Sequence, residues 1–490
     1  MTISEMRKLL GAELLSRTNT RAEVLGVSMD SREIRPGWVF VAVCGTQKRG
    51  SGFAADAIRR GAIAIVVDEK VSVPPGVAVL LVPDCRCAAA LLARTYFGDP
   101  SKHMRVVGIT GTNGKTTSAT LLKAVLRLHG EPTGMLGTIA YEIGDRSIVA
   151  TRTTPDCVNL QHLLQDMVKA GCKAAVLEVS SHALDQQRTA GVDFAAVGFT
   201  NLTQDHLDYH ETMEAYFDAK ASLFRHLPSG RVGVVNIDDA WGARLVEEPL
   251  ACDIMRIGLS EAADVVATVI SKSLMGSVFE VNSPWGRQVI ELQLPGEHNM
   301  RNALLCFTLA CSLGVPPNTV AAGLKSVRQV RGRLQRVSTN APFAVFIDYA
   351  HTDDALRCVL QELQKYTAGK LRVVFGCGGG RDTEKRALMG RAVEANSDVA
   401  YITSDNPRSE PPEAIIAAVR EAFSPHAAVF TEVDRRKAIQ IALSEAQPGD
   451  TVCIAGKGHE AYQEFEGRML PFDDAEVAED VLRELGYDIL

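Results

Sequence analysis

The sequence predicts an α/β protein of three domains: a small N-terminal α/β domain, a central P-loop-type ATPase domain with a mainly parallel sheet, and a C-terminal Rossmann-like, doubly wound domain. Three observations predict it. The 490 residues make about three domains at roughly 150 residues each. Apolar residues at 46% and charged residues at 23% are the balance of an ordinary globular chain, which excludes disordered, collagen-like and coiled-coil readings. Short apolar runs of strand length alternate with helix-compatible stretches, the pattern of parallel strands joined by crossover helices.

Residues 1–100 carry β-type runs at 38–43, 62–67 and 77–82, separated by Gly and Pro, and a helix at 87–97. Gly98-Asp99-Pro100-Ser101 is a breaker cluster. After it, residues 101–330 read as the central domain, with a buried strand at 104–110, a glycine loop, a helix at 116–128, and strands at 174–179, 194–200 and 232–236. Past Val330-Arg331-Gly332-Arg333, residues 331–490 repeat this grammar with strands at 344–348, 371–375, 399–403, 428–430 and 451–455. In doubly wound sheets ligands bind beyond the carboxyl ends of the strands. The residues there are polar or glycine: Glu178, Asn201, Asp348, Gly376, Asp405 and Gly456.

Charge and composition narrow the partners. Fifty-two Lys and Arg against 59 Asp and Glu leave a net charge of -7, which repels a polyanion, so no nucleic acid is expected. Residues 1–10 hold Glu5, Arg7 and Lys8 and lack the apolar core of about 7 residues that a secretory signal requires. The longest apolar runs, 62–67 and 77–82, fall far short of the roughly 18 residues of a membrane span, so no membrane association is expected. The 11 cysteines are scattered from Cys44 to Cys453 without a Cys-x-x-Cys pair. They read as reduced thiols of a cytoplasmic protein rather than as disulfides or a zinc ribbon.

Gly108-Ile109-Thr110-Gly111-Thr112-Asn113-Gly114-Lys115-Thr116-Thr117 follows a strand and opens a helix, the context of a phosphate-binding loop. Glycines let backbone N–H groups converge on phosphate oxygens, Lys115 reaches the outer phosphates, and Thr116 offers a hydroxyl to Mg²⁺. Strict spacing leaves four residues between the first glycine and Gly-Lys, whereas Gly108 leaves five, so the loop is a variant. Glu178 closes an apolar strand where a carboxylate can hold the magnesium that bridges the phosphates. Asp205-His206-Leu207-Asp208-Tyr209-His210 is dense in metal-ligand types, although each residue taken singly reads as a solvated loop position. Lys220 reads by composition as one lysine on an amphipathic helix. In the third domain, Gly376-Cys377-Gly378-Gly379-Gly380-Arg381 has Arg381 where a dinucleotide fingerprint needs its last glycine, which argues against NAD. Ser404-Asp405-Asn406-Pro407-Arg408 and Gly456-Lys457-Gly458-His459-Glu460 together suit an amphoteric ligand.

These residues resemble the Mur ligases of peptidoglycan synthesis, and the resemblance spans essentially the whole chain. Its marks are Asp30-Ser31-Arg32, the loop 111–117, Thr153-Thr154, Glu178-Val179-Ser180-Ser181-His182, Thr200-Asn201-Leu202 with Asp205-His206-Leu207-Asp208, Lys220, Gly296 to Asn302, Gly332-Arg333, Asp348-Tyr349-Ala350-His351 and Asp405 to Arg408. The resemblance implies that domain 1–100 binds a UDP-sugar, that 101–330 binds ATP, and that 331–490 presents an incoming amino acid. It assigns ATP to Gly111, Thr112, Asn113, Gly114, Lys115, Thr116, Thr117, Asn299, Asn302, Arg333, Asp348 and His351. The UDP-sugar peptide falls to Met29, Ser31, Thr46, Gln47, Lys48, Thr153, Thr154, Ser180, Gln186 and Arg188. Thr116, Glu178 and His206 resemble the magnesium ligands, and Lys220 matches a lysine carried as a carbamate that bridges to metal. Lys115, Lys220, His206 and Glu178 are thereby implied to be catalytic. Two departures are Asp353, where many relatives have Pro, and Gly380, where an acidic residue is common.

Within the family, the marks are most similar to those of the member that adds the third peptide residue to a UDP-muramoyl dipeptide. The implied amino acid is meso-diaminopimelate, held by Arg381, Asp405, Asn406, Pro407, Arg408, Gly456 and Glu460. Arg408 would grip its far carboxylate, and Asp405, Asn406 and Glu460 the neighbouring ammonium. The implied enzyme is a cytoplasmic, monomeric, ATP- and Mg²⁺-dependent ligase acting on small molecules. Rival readings make different demands. A lysine-adding ligase would lack the Asp-Asn-Pro-Arg arrangement. A GTPase switch would need Asn-Lys-x-Asp, which does not occur. A non-catalytic nucleotide-binding regulator would leave the third-domain cluster without use, and a folylpolyglutamate synthase would lack the Asp30-Ser31-Arg32 domain.

Overall fold

The computed structural model describes residues 1–16, 18–45, 49–380 and 383–490. Its described strands form three large sheets and one two-stranded hairpin, Tyr462–Phe465 with Arg468–Pro471. The first sheet runs in the order Glu13–Leu14, Ala78–Leu81, Ala64–Val67, Trp38–Val41, Gly26–Ser28, parallel except for its first pair.

The central sheet has 11 strands. Its heart is parallel: Thr133–Leu136, Ala174–Glu178, Arg105–Thr110, Phe194–Phe199, Val232–Asn236, Asp253–Gly258 and Val265–Ser273 lie side by side. Antiparallel strands extend both ends, Ala140–Ile143 and Arg146–Val149 at one and Gly276–Ser283 and Gly286–Leu292 at the other. Sequence reading missed these additions because they are joined strand to strand by short hairpin turns and so fall outside the strand–helix alternation. Several of their residues also face water, so the apolar signal is weak: Arg146–Val149 is exposed throughout. The third sheet is ordered Gln335–Arg336, Ala344–Asp348, Thr451–Ala455, Leu371–Phe375, Val399–Ile402, Val429–Thr431, with its first pair alone antiparallel.

The parallel strands at the middle of each large sheet are buried on both faces, which is why they read as continuous apolar runs. Successive side chains point to opposite faces. In the central sheet, Val107, Ile109, Ala174, Val176 and Val234 enter one core layer, and Val106, Ala175, Leu177, Val197 and Val235 enter the other. The third sheet divides in the same way, with Phe346, Val373, Phe375 and Cys453 on one side and Val345, Ile347, Val374 and Val452 on the other. All 11 cysteines are free thiols. Among the described residues no helix is long and apolar enough to cross a membrane.

At the carboxyl edge of the third sheet, one ion pair is entirely buried. Arg435 and Asp474 meet at 2.7 Å with both side chains 0% exposed. Arg435 Nη2 also donates to the Ala455 carbonyl at 2.9 Å, and the Arg435 side chain lies against Ser404 O at 3.4 Å. It therefore pins the last residues before both Asp405 and Gly456. Replacing Arg435 by Met would strand the Asp474 charge in the interior at a cost of about 3–5 kcal/mol. Urea unfolding should show this loss, and the double variant Arg435→Met/Asp474→Leu should recover a large part of it.

Candidate active site

The nucleotide loop starts later than its first glycine suggests. Gly108 lies inside the strand Arg105–Thr110, where a Cβ would sit 2.8 Å from the Phe194 ring, so that glycine serves strand packing. The turn begins at Gly111 (φ 144°), where a Cβ would come 1.8 Å from Thr200 Oγ1. Gly114 (φ 87°) caps the helix Lys115–Leu128, with Asn302 Oδ1 2.3 Å from where its Cβ would be. Asn201 holds the loop from the next strand, accepting the Asn113 N–H at 2.9 Å and donating to the Asn113 carbonyl at 3.1 Å. Thr200 Oγ1 donates to the same carbonyl at 2.6 Å. The loop is thus braced from outside, and the helix N-terminus behind it is a ready anion site. Lys115 folds back to donate to the Gly111 and Thr112 carbonyls, both at 2.8 Å. Burial holds its pKa below the usual lysine value against the pull of Glu178 and Asp205.

Beside the loop, Glu178 accepts from the Thr116 hydroxyl at 2.8 Å and from Thr138 N and Oγ1 at 2.9 Å each. His206 stands at a positive φ of 53°, 3.4 Å from Asp205 and with its ring centre 4.8 Å from that of His182. Burial pushes its pKa down to about 3, and His182, Lys115 and Lys220 oppose Asp205 in the same direction. Among the described residues no three His, Cys, Asp or Glu groups converge on one point. Thr116, Glu178 and His206 nevertheless line one cavity. A hydroxyl, a carboxylate and an uncharged imidazole open to phosphate oxygens fit Mg²⁺, which takes few protein ligands and completes its shell with phosphate and water.

Composition singled out nothing in Lys220, but the structure does. On the helix Met213–Arg225 it faces inward, 1% exposed, and donates to the Gly111 carbonyl at 2.7 Å. Its amine lies 4.6 Å from the centre of the Tyr216 ring. Burial, and next the charge of Lys115, lower its pKa well below the ordinary value.

The cavity, about 480 Å³, lies between the central and third sheets. Its walls include Asn299, Asn302, Arg333, Asp348 and His351 together with the loop 112–117. Arg333 Nη2 reaches Thr116 Oγ1 at 3.3 Å while its guanidinium covers the Tyr349 ring at 4.4 Å. Asp348 accepts from the Leu334 and Ala350 N–H groups at 2.6 and 2.7 Å, and burial raises its pKa. A second link across the gap went unread in the sequence: Lys385 donates to Asp205 at 2.7 Å.

Of the residues expected at the UDP-sugar peptide, Thr46, Gln47 and Lys48 lie outside the described residues. Among the others, Met29 joins the first domain to the central one. Met29 Sδ touches Cys157 Sγ at 3.5 Å, and Ser31 is buried one residue after the capping Asp30. Thr153 meets Thr138 at 3.2 Å. Thr154 donates to Glu178 O at 2.8 Å and accepts from Ser180 N at 3.1 Å. Arg188 donates to the Thr154 carbonyl at 3.0 Å and to Gln186 Oε1 at 2.7 Å.

In the third domain, Arg381 lies outside the described residues. Asp405 and Asn406 are buried, and a Cβ on Gly456 (φ 110°) would sit 2.7 Å from Asp405 Oδ2. Arg408, at φ 55° after Pro407, donates to Glu464 at 3.1 Å and to the Gly379 carbonyl at 2.6 Å. Asn406 Nδ2 donates to Glu460 at 2.8 Å, and Asn406 Oδ1 accepts from Lys457 at 3.1 Å and Glu464 N at 3.0 Å. This corrects one expectation. Asn406 turns its oxygen toward Lys457 and the Glu464 N–H and so does not offer it to a ligand's ammonium. Glu464 and Lys457 were missed, although Lys457 stood in the strand-end loop already singled out.

Buried histidines at the domain junction give a pH dependence. Burial, with Arg333, Arg331, His351 and Lys457 nearby, pushes the His459 pKa down to about 3. The unfolded chain, with a His pKa near 6.5, then binds the proton more tightly, so stability falls as pH drops below about 6.5 toward 3. The thermal midpoint should decline from pH 7.5 to pH 5, and less steeply in His459→Gln.

Comparisons with known proteins cover all three sheets. The model described as "Mur ligase family, catalytic domain" matches residues 23–96, "Mur ligase middle domain" matches 109–310, and "Mur ligase, glutamate ligase domain" matches 332–458. The UDP-N-acetylmuramoyl-L-alanyl-D-glutamate–2,6-diaminopimelate ligase of Caldanaerobacter subterraneus subsp. tengcongensis is 41% identical over 477 residues, covering 97% of this chain and 98% of its own. The ligase of the same name from Gloeobacter violaceus is 43% identical over 483 residues, covering 96% and 97%. A solved structure bearing that ligase name superposes with a TM-score of 0.71 at 33% identity over 99% of this chain and 100% of its own. Mycobacterium tuberculosis folylpolyglutamate synthase shares the fold at a TM-score of 0.63 and 20% identity over 83% of this chain and 96% of its own. With full-length relatives above 40% identity and three domain models in order, this chain belongs to the Mur ligase family.

Proposed function

We propose that the chain is an ATP-dependent ligase joining the amine of meso-diaminopimelate to the D-glutamyl carboxylate of UDP-N-acetylmuramoyl-L-alanyl-D-glutamate. One observation carries the reading: the Asp405-Asn406-Pro407-Arg408 loop, packed against Lys457, Glu460 and Glu464, on a chain 43% identical to a ligase named for both substrates. A guanidinium and an amide N–H suit a carboxylate, and Asp405 and Glu460 suit an ammonium.

The carboxylate first attacks the terminal phosphorus of ATP, giving an acyl phosphate and ADP. The amine then adds to the acyl carbon, loses a proton, and phosphate leaves with the C–O bond electrons. Both steps gather negative charge on oxygens, which donors fixed in advance stabilise. Lys115 would leave the carbonyls it now holds and follow the transferred phosphoryl group, with the 111–117 backbone cradling the chain of phosphates. Arg333 would add charge from the third domain, and Asn299, Asn302, Asp348 and His351 would hold the nucleoside end. Thr116, Glu178 and His206 would hold Mg²⁺, which when bound neutralises phosphate charge. The lowered pKa of Lys220 supports carbamate formation: the ammonium loses a proton, the neutral amine adds to CO₂, and a second proton leaves, giving an anion. Met29, Ser31, Thr153, Thr154, Ser180, Gln186 and Arg188 would position the UDP-sugar peptide. We extend the proposal to a cytoplasmic monomer, which the free thiols support through a reducing compartment.

Phosphate release with ATP, the UDP-muramoyl dipeptide and each candidate amino acid tests the reading. Lys115→Ala should lose at least about 10²-fold in kcat, as removal of a single stabilising donor does elsewhere. Arg408→Ala should cost about 2–5 kcal/mol in kcat/KM for diaminopimelate with the KM for ATP unmoved. Equal use of L-lysine by the wild type would defeat the amino-acid assignment.

A further inference from the structure

Lys457 has no task in the reaction above, yet its side chain is 0% exposed. Its Nζ lies 3.1 Å from Asn406 Oδ1 and 3.0 Å from Glu460 Oε2, and 5.4 Å from the centre of the Tyr462 ring. An ammonium has hydrogens alone to offer. The Glu464 N–H, 3.0 Å from the same Oδ1, is likewise a donor. Two donors therefore converge on the Asn406 oxygen, and its NH₂ group must face the other way. One of those hydrogens goes to Glu460 Oε2 at 2.8 Å, and the second would be the one offered to a ligand.

An asparagine amide is nearly symmetric in shape, so its surroundings decide which end faces a ligand. With Lys457 in place, turning the amide over would forfeit the Glu464 and Glu460 bonds and would also set its NH₂ hydrogens against a buried cation; without Lys457 that second cost disappears. The pocket would then present an acceptor beside Arg408, and a ligand carboxylate would meet repulsion where it now meets a donor.

We propose that Lys457 is a positioning residue that locks Asn406 as a donor in the Arg408 loop, and so sets the preference for an amino acid with a second carboxylate. The inference rests on the diaminopimelate reading and deepens it. It assigns to an internal cation, which touches no substrate, part of the choice between meso-diaminopimelate and an analogue lacking the far carboxylate.

The test measures kcat/KM for meso-diaminopimelate and L-lysine, and the KM for ATP, in wild type, Lys457→Met and Lys457→Gln. Met keeps the length and removes every donor. It should lower the ratio of the two kcat/KM values by about 10-fold or more, the weight of one hydrogen bond, chiefly through KM for diaminopimelate, with the KM for ATP unmoved. Gln keeps an N–H for Asn406 Oδ1 without the charge and should retain most of the discrimination. It decides the matter alone if the Met variant fails to fold. A Met variant that discriminates like wild type, or a Gln variant that has lost discrimination, overturns the role of Lys457 and leaves the ligase reading standing. A wild type that shows no preference overturns both.

Discussion

Two lysine amines share one carbonyl oxygen, that of Gly111, Lys115 at 2.8 Å and Lys220 at 2.7 Å. Two full positive charges at that separation and depth are costly. The strain is relieved on Lys220, which is sealed under Tyr216 and whose pKa falls well below its usual value. Lys115 keeps a path to the cavity. Burial lowers the pKa of both amines, and the charge of Lys115 adds to the effect on Lys220. The backbone that presents this oxygen depends in turn on Gly111, where Thr200 leaves no room for a Cβ.

The site is also a junction. Central residues supply the loop, Glu178 and His206, whereas Arg333, Asp348 and His351 arrive from the third domain and share the cavity wall. Lys385 and Asp205 tie the two across the gap. Arg333 reaches Thr116 while lying on Tyr349, so the position of one domain is registered at the nucleotide loop of the other. Linked domains that share a site in this way close on their ligands in many enzymes.

The amino-acid pocket uses burial in a different way. Arg435 and Asp474 fix the ends of two strands from below, and Lys457 fixes the amide above them. Neither cation is placed to meet a ligand. Both are satisfied internally.

The sequence by itself determined the alternation of strand and helix, because strands buried on both faces must be apolar throughout, and 344–348, 371–375 and 451–455 coincide with their strands for that reason. It also determined the phosphate loop, whose glycines and lysine are neighbours in the chain. The motifs taken together pointed to the family; spacing alone gave no reason to single out Lys220. Tertiary structure alone decided that Lys220 is buried against Gly111, that Gly108 packs a strand instead of opening the loop, and that Asn406 presents hydrogens. Each of these depends on a partner 50 or more residues away, Gly111, Phe194 and Lys457 in turn, and no local pattern encodes which way an amide turns or which lysine is buried.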